Sequence, residues 1–198
     1  MKYLRIVLWI MVAVFSGVAG YAYLTIGNDP TLHQASSVKI GGPFELVDHN
    51  GNRLTQDAFR DRNHAIFFGF THCPDICPTT LYEISGWMEQ MGDAGNGVDF
   101  YFFSVDPQRD TPEVLADYVN AFDPRITGVT GDLDAMNAAI KAYRGYSKRV
   151  ELEDGDYTMD HSAFVMLFDK TGDFKGTISS GESAEMAIGK LKRLTNDG

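Results

Sequence analysis

Two short segments, HAIFFGF (64–70) and VDFYFFSV (98–105), are apolar at almost every position instead of alternating apolar with polar residues. Strands of that composition are buried on both faces, so each needs a covering layer on either side. Helix signals follow both. After the first, Pro78 reads as the opening helical residue, and TTLYEISGWMEQM sets Leu81, Ile84, Trp87 or Met88, and Met91 along one stripe. After the second, Thr111-Pro112-Glu113 combines a hydroxyl cap, a proline in the first turn and an early carboxylate. A third unit pairs a strand over Ile126–Thr130 with a helix through DLDAMNAAIKAY. Around these units, FELVDHNGNRLT reads as a hairpin turning at Asn50-Gly51, with His49 in the turn. SKRVELEDGDYTMD reads as a second, exposed hairpin around Asp154-Gly155. Then come the apolar strand SAFVMLFD, a turn at 170–172, the strand DFKGTIS, and a last helix from Ser183 to about Thr195. The fold class expected is α/β, a sandwich with a central mixed sheet flanked by helices.

The N-terminal residues do not fit that scheme. From Ile6 to Ile26 the chain carries no charge, and the run is long enough for a helix to cross a bilayer. Lys2 and Arg5 precede it, which keeps the N-terminus in the cytoplasm and sends the rest across. A cleavable signal peptide is the competing reading, but the apolar run outlasts the usual apolar region of such a leader. With no organelle-type leader ahead of it, the span reads as an anchor in a bacterial inner membrane, and the remainder as periplasmic. Residues 1–26 are therefore expected to be the anchor, 27–43 a polar tether containing a solvated His33, and 44–198 one domain. In a chain of 198 residues, 44% of them hydrophobic, that domain needs no disulfide scaffold. A net charge of −10, without basic stretches interleaved with aromatics, argues against nucleic acid as a partner.

The two cysteines of the chain, Cys73 and Cys77, fall between the first buried strand and its helix, in THCPDICP. Pro74-Asp75 turns the chain so that the sulfurs approach each other, and Cys77 is expected at the helix cap. There the positive helix end and its free amides favour thiolate on both sulfurs. A structural disulfide closing so small a loop adds little stability. A soft dithiolate suits either disulfide exchange or a thiophilic metal, and the CxxxC spacing does not choose between them. A third donor would, and His161, at the start of an apolar strand, is the candidate. His72 points away from its neighbour Cys73, and His64 has no evident partner. Asp106 follows a buried strand and is either a second-layer group at the site or a turn carboxylate before Pro107. Asp160 either orients the His161 ring or is solvated. Arg109 and Asp110 read as a surface turn ahead of the Thr111 cap, and Met159 as packed or exposed, with an extra soft ligand the lesser reading.

Three stretches in this order behind one apolar segment, GFTHCPDICPTTL (69–81), SVDPQRDTPEVLADYV (104–119) and DYTMDHSAF (156–164), closely resemble the Sco/SenC family of copper-binding proteins that assemble cytochrome c oxidase. The resemblance runs from about Pro43 to the last helix. It implies a thioredoxin-like fold with a copper ion held by Cys73, Cys77 and His161. It further implies cytochrome c oxidase subunit II as partner, and a periplasmic copper donor. Ordinary thioredoxin-like reductases carry CxxC and a proline facing the disulfide. Here the spacing is one residue longer, no proline lies between Thr158 and Phe164, and His161 takes its place. The function implied is that of a copper chaperone, without turnover as an enzyme. The alternative is a thiol-disulfide oxidoreductase that reduces the partner's cysteines before another protein loads the metal.

Overall fold

A computed structural model describes residues 2–26, 39–153 and 155–196. It divides into two units, residues 1–38 and 39–198. In the first, helix α1 (Lys2–Ile26) runs for 25 residues. Its window Tyr3–Ala22 has a mean hydropathy of 1.9, and none of it is buried within the protein. At 1.5 Å per residue the helix is about 37 Å long, against a hydrocarbon layer of about 30 Å. The helix has the length and composition to cross a membrane. His33 lies outside the described residues.

The second unit starts with a hairpin, β1 (Glu45–Asp48) and β2 (Arg53–Thr55). Gly51, at φ +79°, makes the turn, and the Asp48 carboxylate accepts from the amides of Asn50 and Asn52. Three strand-to-helix units follow: β3 (Asn63–Gly69) with α2 (Ile76–Met91), β4 (Val98–Ser104) with α3 (Pro112–Asn120), and β5 (Ile126–Thr130) with α4 (Leu133–Ala142). A separate hairpin, β6 (Ser147–Glu151) and β7 (Tyr157–His161), precedes β8 (Phe164–Phe168), β9 (Phe174–Ser179) and α5 (Ala184–Asn196). The main sheet has the order β2-β1-β5-β4-β3-β8-β9. The strands β5, β4 and β3 are parallel, and the flanking pairs are antiparallel. This is the mixed sheet flanked by helices that the residue pattern implied.

β3 and β4 lie side by side in the middle, and their aromatic residues divide by parity. Phe67 and Phe102 are register partners on one face, where Phe102 meets Tyr118 of α3. Phe68 and Phe103 are partners on the other, where Phe103 packs on Tyr143 at the end of α4 and on Phe44. Both faces are covered because both are apolar. Caps stand where the residue types put them. Thr111 accepts from Val114 N, Asp132 from Asp134 N, and Ser183 from Met186 N. The compact unit begins at Lys39, ahead of Phe44, because Gly41 N donates to Ala142 O and Ile40 packs on the core.

Two histidines prove structural. His49 accepts from Gly128 N at 2.9 Å through Nδ1, tying the first hairpin to β5. His64 is 1% exposed and lies between the rings of Phe59 and Phe168, with centroids 4.1 and 5.0 Å away. Burial lowers its pKa from 6.5 to about 4. Below pH 6.5 the unfolded chain therefore takes up a proton that the folded chain refuses. The stability present above that pH drains away as the pH falls to 4, by an amount on the order of 3 kcal/mol. Chemical denaturation from pH 7 to 4 should show this decline, and His64→Phe, which keeps the ring stack, should flatten it. An equally steep decline in the variant would place the acid sensitivity elsewhere.

Candidate metal centre

β3 ends at Gly69, and the following loop is closed by a hydrogen bond from Cys73 N to Phe70 O. The helix begins at Ile76, two residues earlier than the proline suggested. Cys77 is therefore inside the first helical turn and not at the cap, and its side chain is fully buried, while Cys73 stays half-buried in the loop. Gly69 makes room for this. A Cβ there would stand 2.7 Å from Cys77 Sγ and 2.5 Å from the Phe102 ring.

His161 reaches the same spot from the end of β7. The ligand atoms of Cys73, Cys77 and His161 all lie within 4.8 Å of one another, and Cys77 Sγ is 3.5 Å from His161 Nε2. The ring's Nδ1 is 3.0 Å from the Ser162 carbonyl. That oxygen can only accept, so Nδ1 carries a proton, which fixes the ring with Nε2 turned to the sulfurs. The edges and faces of Phe67 and Phe70 hold the imidazole at 69° and 86°. Asp160, offered above as a possible orienting group, is exposed on β7 opposite Lys148, and the Ser162 carbonyl does that work instead.

The expectation of two activated thiolates needs correction. Hydrogen bonding from Cys77, opposed by burial and aided by the amides of Asp75 and Cys77 and by His161, lowers Cys73 to about 4. The same hydrogen bond to Cys73, with burial next, pushes Cys77 up. Two sulfurs this close do not both carry a negative charge unless a cation joins them. The metal-free site therefore holds one thiolate, on the more exposed sulfur, and one retained proton. Two soft sulfur donors and an imidazole on converging atoms fit a thiophilic ion, Cu(I) foremost.

Other expected residues fall differently. His72 is exposed and its Nδ1 contacts Thr71 Oγ1. Met159 is half-buried and packs on the core. Arg109 and Asp110 do not form a surface turn. Asp110 is fully buried and accepts from Thr71 N, Thr71 Oγ1 and Ser104 Oγ. Arg109 is paired with buried Asp106, and its side chain is 18% exposed. Asp106 in turn accepts from the Tyr157 hydroxyl at 3.0 Å. Tyr157 was legible in principle, since it precedes His161 by four residues and shares its face of the strand. Nothing in the local residue pattern marks Asp110 as buried.

The sequence model described as SCO1/SenC matches residues 33–196. The chain belongs to the SCO1/SenC family. Among curated relatives, protein sco1 of Schizosaccharomyces pombe is 35% identical over 195 residues, covering 91% of this chain and 74% of its own. SCO2 of Saccharomyces cerevisiae, a mitochondrial protein, is 36% identical over 79% of this chain, which spans 53% of its length. A solved structure of Bradyrhizobium japonicum ScoI with copper bound superposes with a TM-score of 0.73 at 44% identity, covering 78% of this chain and 99% of that one. The Sco fold here is thus the thioredoxin-like sandwich expected, with its cysteine pair at the end of a central strand.

Two outcomes follow from this geometry. Because Cys73 has already lost its proton at neutral pH and Cys77 has not, Cu(I) binding to the reduced protein should release about one proton per ion rather than two. Calorimetry in buffers of different ionisation enthalpy measures that number, and a value of two would contradict the asymmetry. Gly69→Ala should cost about 1–3 kcal/mol in denaturant unfolding, because a buried ring and a buried sulfur must both move.

Proposed function

We propose that this chain is a membrane-anchored copper chaperone. In this reading residues 1–26 are the anchor in a bacterial inner membrane, 27–43 the tether, and 44–198 the copper-binding domain on the periplasmic side. The domain receives copper from a periplasmic donor and passes it to the binuclear copper site of cytochrome c oxidase subunit II. The observation that carries this reading is the convergence of Cys73, Cys77 and His161 within 4.8 Å, from two elements more than eighty residues apart in sequence. Three donors leave a soft ion accessible to an incoming ligand. Cys73 is the exposed side of the site and Cys77 the buried side, so an acceptor thiolate approaches at Cys73, and the ion moves by stepwise exchange of ligands without any change at the core.

One observation also favours the oxidoreductase reading. A half-exposed thiolate beside a buried thiol is the arrangement needed for attack on a disulfide followed by resolution. The two readings part at His161, which disulfide exchange does not require.

Replacing His161 with alanine should weaken Cu(I) binding by roughly 10–100-fold or more while leaving two thiols that cycle to an intramolecular disulfide and back. Oxidised protein should bind no copper until it is reduced. In cells at limiting copper, both His161→Ala and Cys73→Ser should abolish assembly of active oxidase, with excess copper rescuing the histidine variant alone. If His161→Ala cells assembled the oxidase normally while Cys73→Ser cells did not, the reductase reading would replace the chaperone reading.

A further inference from the structure

The two halves of the candidate site are held by elements that do not hydrogen-bond to each other through a shared sheet. β6 and β7 form a ladder of their own, separate from the seven-stranded sheet. His161 therefore sits on an arm. At the base of the arm, Ser162 N donates to Tyr146 O and Tyr146 N donates to Ser162 Oγ. Met159 packs on the core midway along the strand, and the far fixed point is Tyr157, on the same face as His161 and about 13 Å away.

Tyr157 is held by several contacts although it is only partly buried. Its hydroxyl donates to Asp106 Oδ1 at 3.0 Å, and its carbonyl accepts from Arg109 Nη1 at 3.1 Å. The Arg109 guanidinium lies 3.7 Å from the centre of its ring, and Arg149 of β6 lies 3.6 Å from it. Arg109 Nε also donates to the buried Asp106 carboxylate, a pair shielded from the screening that weakens surface ion pairs. Meanwhile no acceptor among the described residues reaches the buried Arg109 Nη2, a cost that a lysine or an apolar side chain would avoid. What the guanidinium supplies in return is a fork for Asp106 and the Tyr157 carbonyl together with a flat face for the ring, which no other side chain combines.

The same turn reaches in the opposite direction. Asp110 binds the backbone and hydroxyl of Thr71, two residues before Cys73. Between these two grips the turn is stiff: Arg109 N and Asp110 N both donate to Asp106 O, and Asp106 N donates to Ser104 Oγ. We infer that the turn from Asp106 to Asp110 is the gauge that sets the separation between the sulfur pair and the imidazole, with Arg109 as the positioning residue that latches the His161 arm. This inference rests on the copper-site reading above. The latch touches no ligand atom. It acts on the metal through His161, by way of Tyr157 and of the Phe70 ring, which lies 5.9 Å from the guanidinium and packs edge-on to the imidazole, and releasing it withdraws one donor.

The test is a double-mutant cycle on the full chain in detergent, measuring Cu(I) affinity of the reduced protein by competition with a chromogenic chelator. Arg109→Ala should weaken binding by about 10-fold or more in the wild-type background, and by nothing further once His161 is already alanine. Arg109→Lys, which keeps the charge and loses the fork, should not restore affinity. A second readout needs no metal: in the reduced Arg109→Ala protein, amide exchange at residues 157–161 should accelerate while residues 78–91 of α2 keep their protection. Should Arg109→Ala fail to fold, Tyr157→Phe gives a smaller loss of affinity with the same dependence on His161. Unchanged affinity, or an equal loss in both backgrounds, would overturn the latch while leaving the copper site standing. If His161→Ala itself left affinity unchanged, the site reading would fall and the latch with it.

Discussion

Burying β3 and β4 on both faces is the constraint from which the rest of the molecule follows. Phe67 and Phe102 on one side, and Phe68 and Phe103 on the other, each need an apolar cover, and α3 and α4 supply Tyr118 and Tyr143 to opposite faces. Parallel strands need crossovers, so the chain leaves β3 and β4 at the same end of the sheet and starts a helix after each. The cysteine loop and the Asp106–Asp110 turn are those two exits. Their adjacency is a consequence of the strand pairing, with Gly69 in register with Ser104 where the two segments depart. Sites in open α/β sheets gather at this edge for the same reason.

Electrostatics at that edge is governed by how near the sulfurs are. One thiolate is stabilised by the first amides of α2 and by the proton that its neighbour keeps, and a second negative charge waits for a cation. A site built this way is stable when empty, because it holds one charge under hydrogen bonds and not two in opposition. A cation bound there would take the place of the Cys77 proton. Loading and proton release are then one event. The imidazole enters already oriented, its Nδ1 proton committed to the Ser162 carbonyl.

The third donor is the more weakly anchored one. Cys77 belongs to a helix packed in the core, whereas His161 belongs to a two-stranded arm whose outer strand is mostly exposed. The aromatic and ionic contacts around Tyr157 offset the absence of a shared backbone ladder. In the proposed copper site the ion would be held by one sulfur fixed in a helix, one sulfur in a loop and one nitrogen on an arm, so its bonds would not be equally anchored. This suits the proposed chaperone role, in which the ion is passed on.

Much of this was readable from residue order. The continuous apolar strands, the Thr111 cap with its following proline, the Asn50-Gly51 turn and the charge-free N-terminal run are all local signals, set by steric, capping and hydration effects within a few residues. The three ligand candidates emerged from residue chemistry and from resemblance to a family. The tertiary structure alone decided which cysteine is buried and which way the proton goes, because burial of Cys77 depends on Gly69 and Phe102 lying beneath it. Only packing could turn Arg109 and Asp110 inward as well. A charged residue in a turn reads as solvated unless its partners are known, and here those partners are Thr71 and Tyr157, thirty-nine and forty-eight residues away in the chain. Such contacts carry no local trace, since the free energy that holds them exists only once β3, β4 and the hairpin have come together.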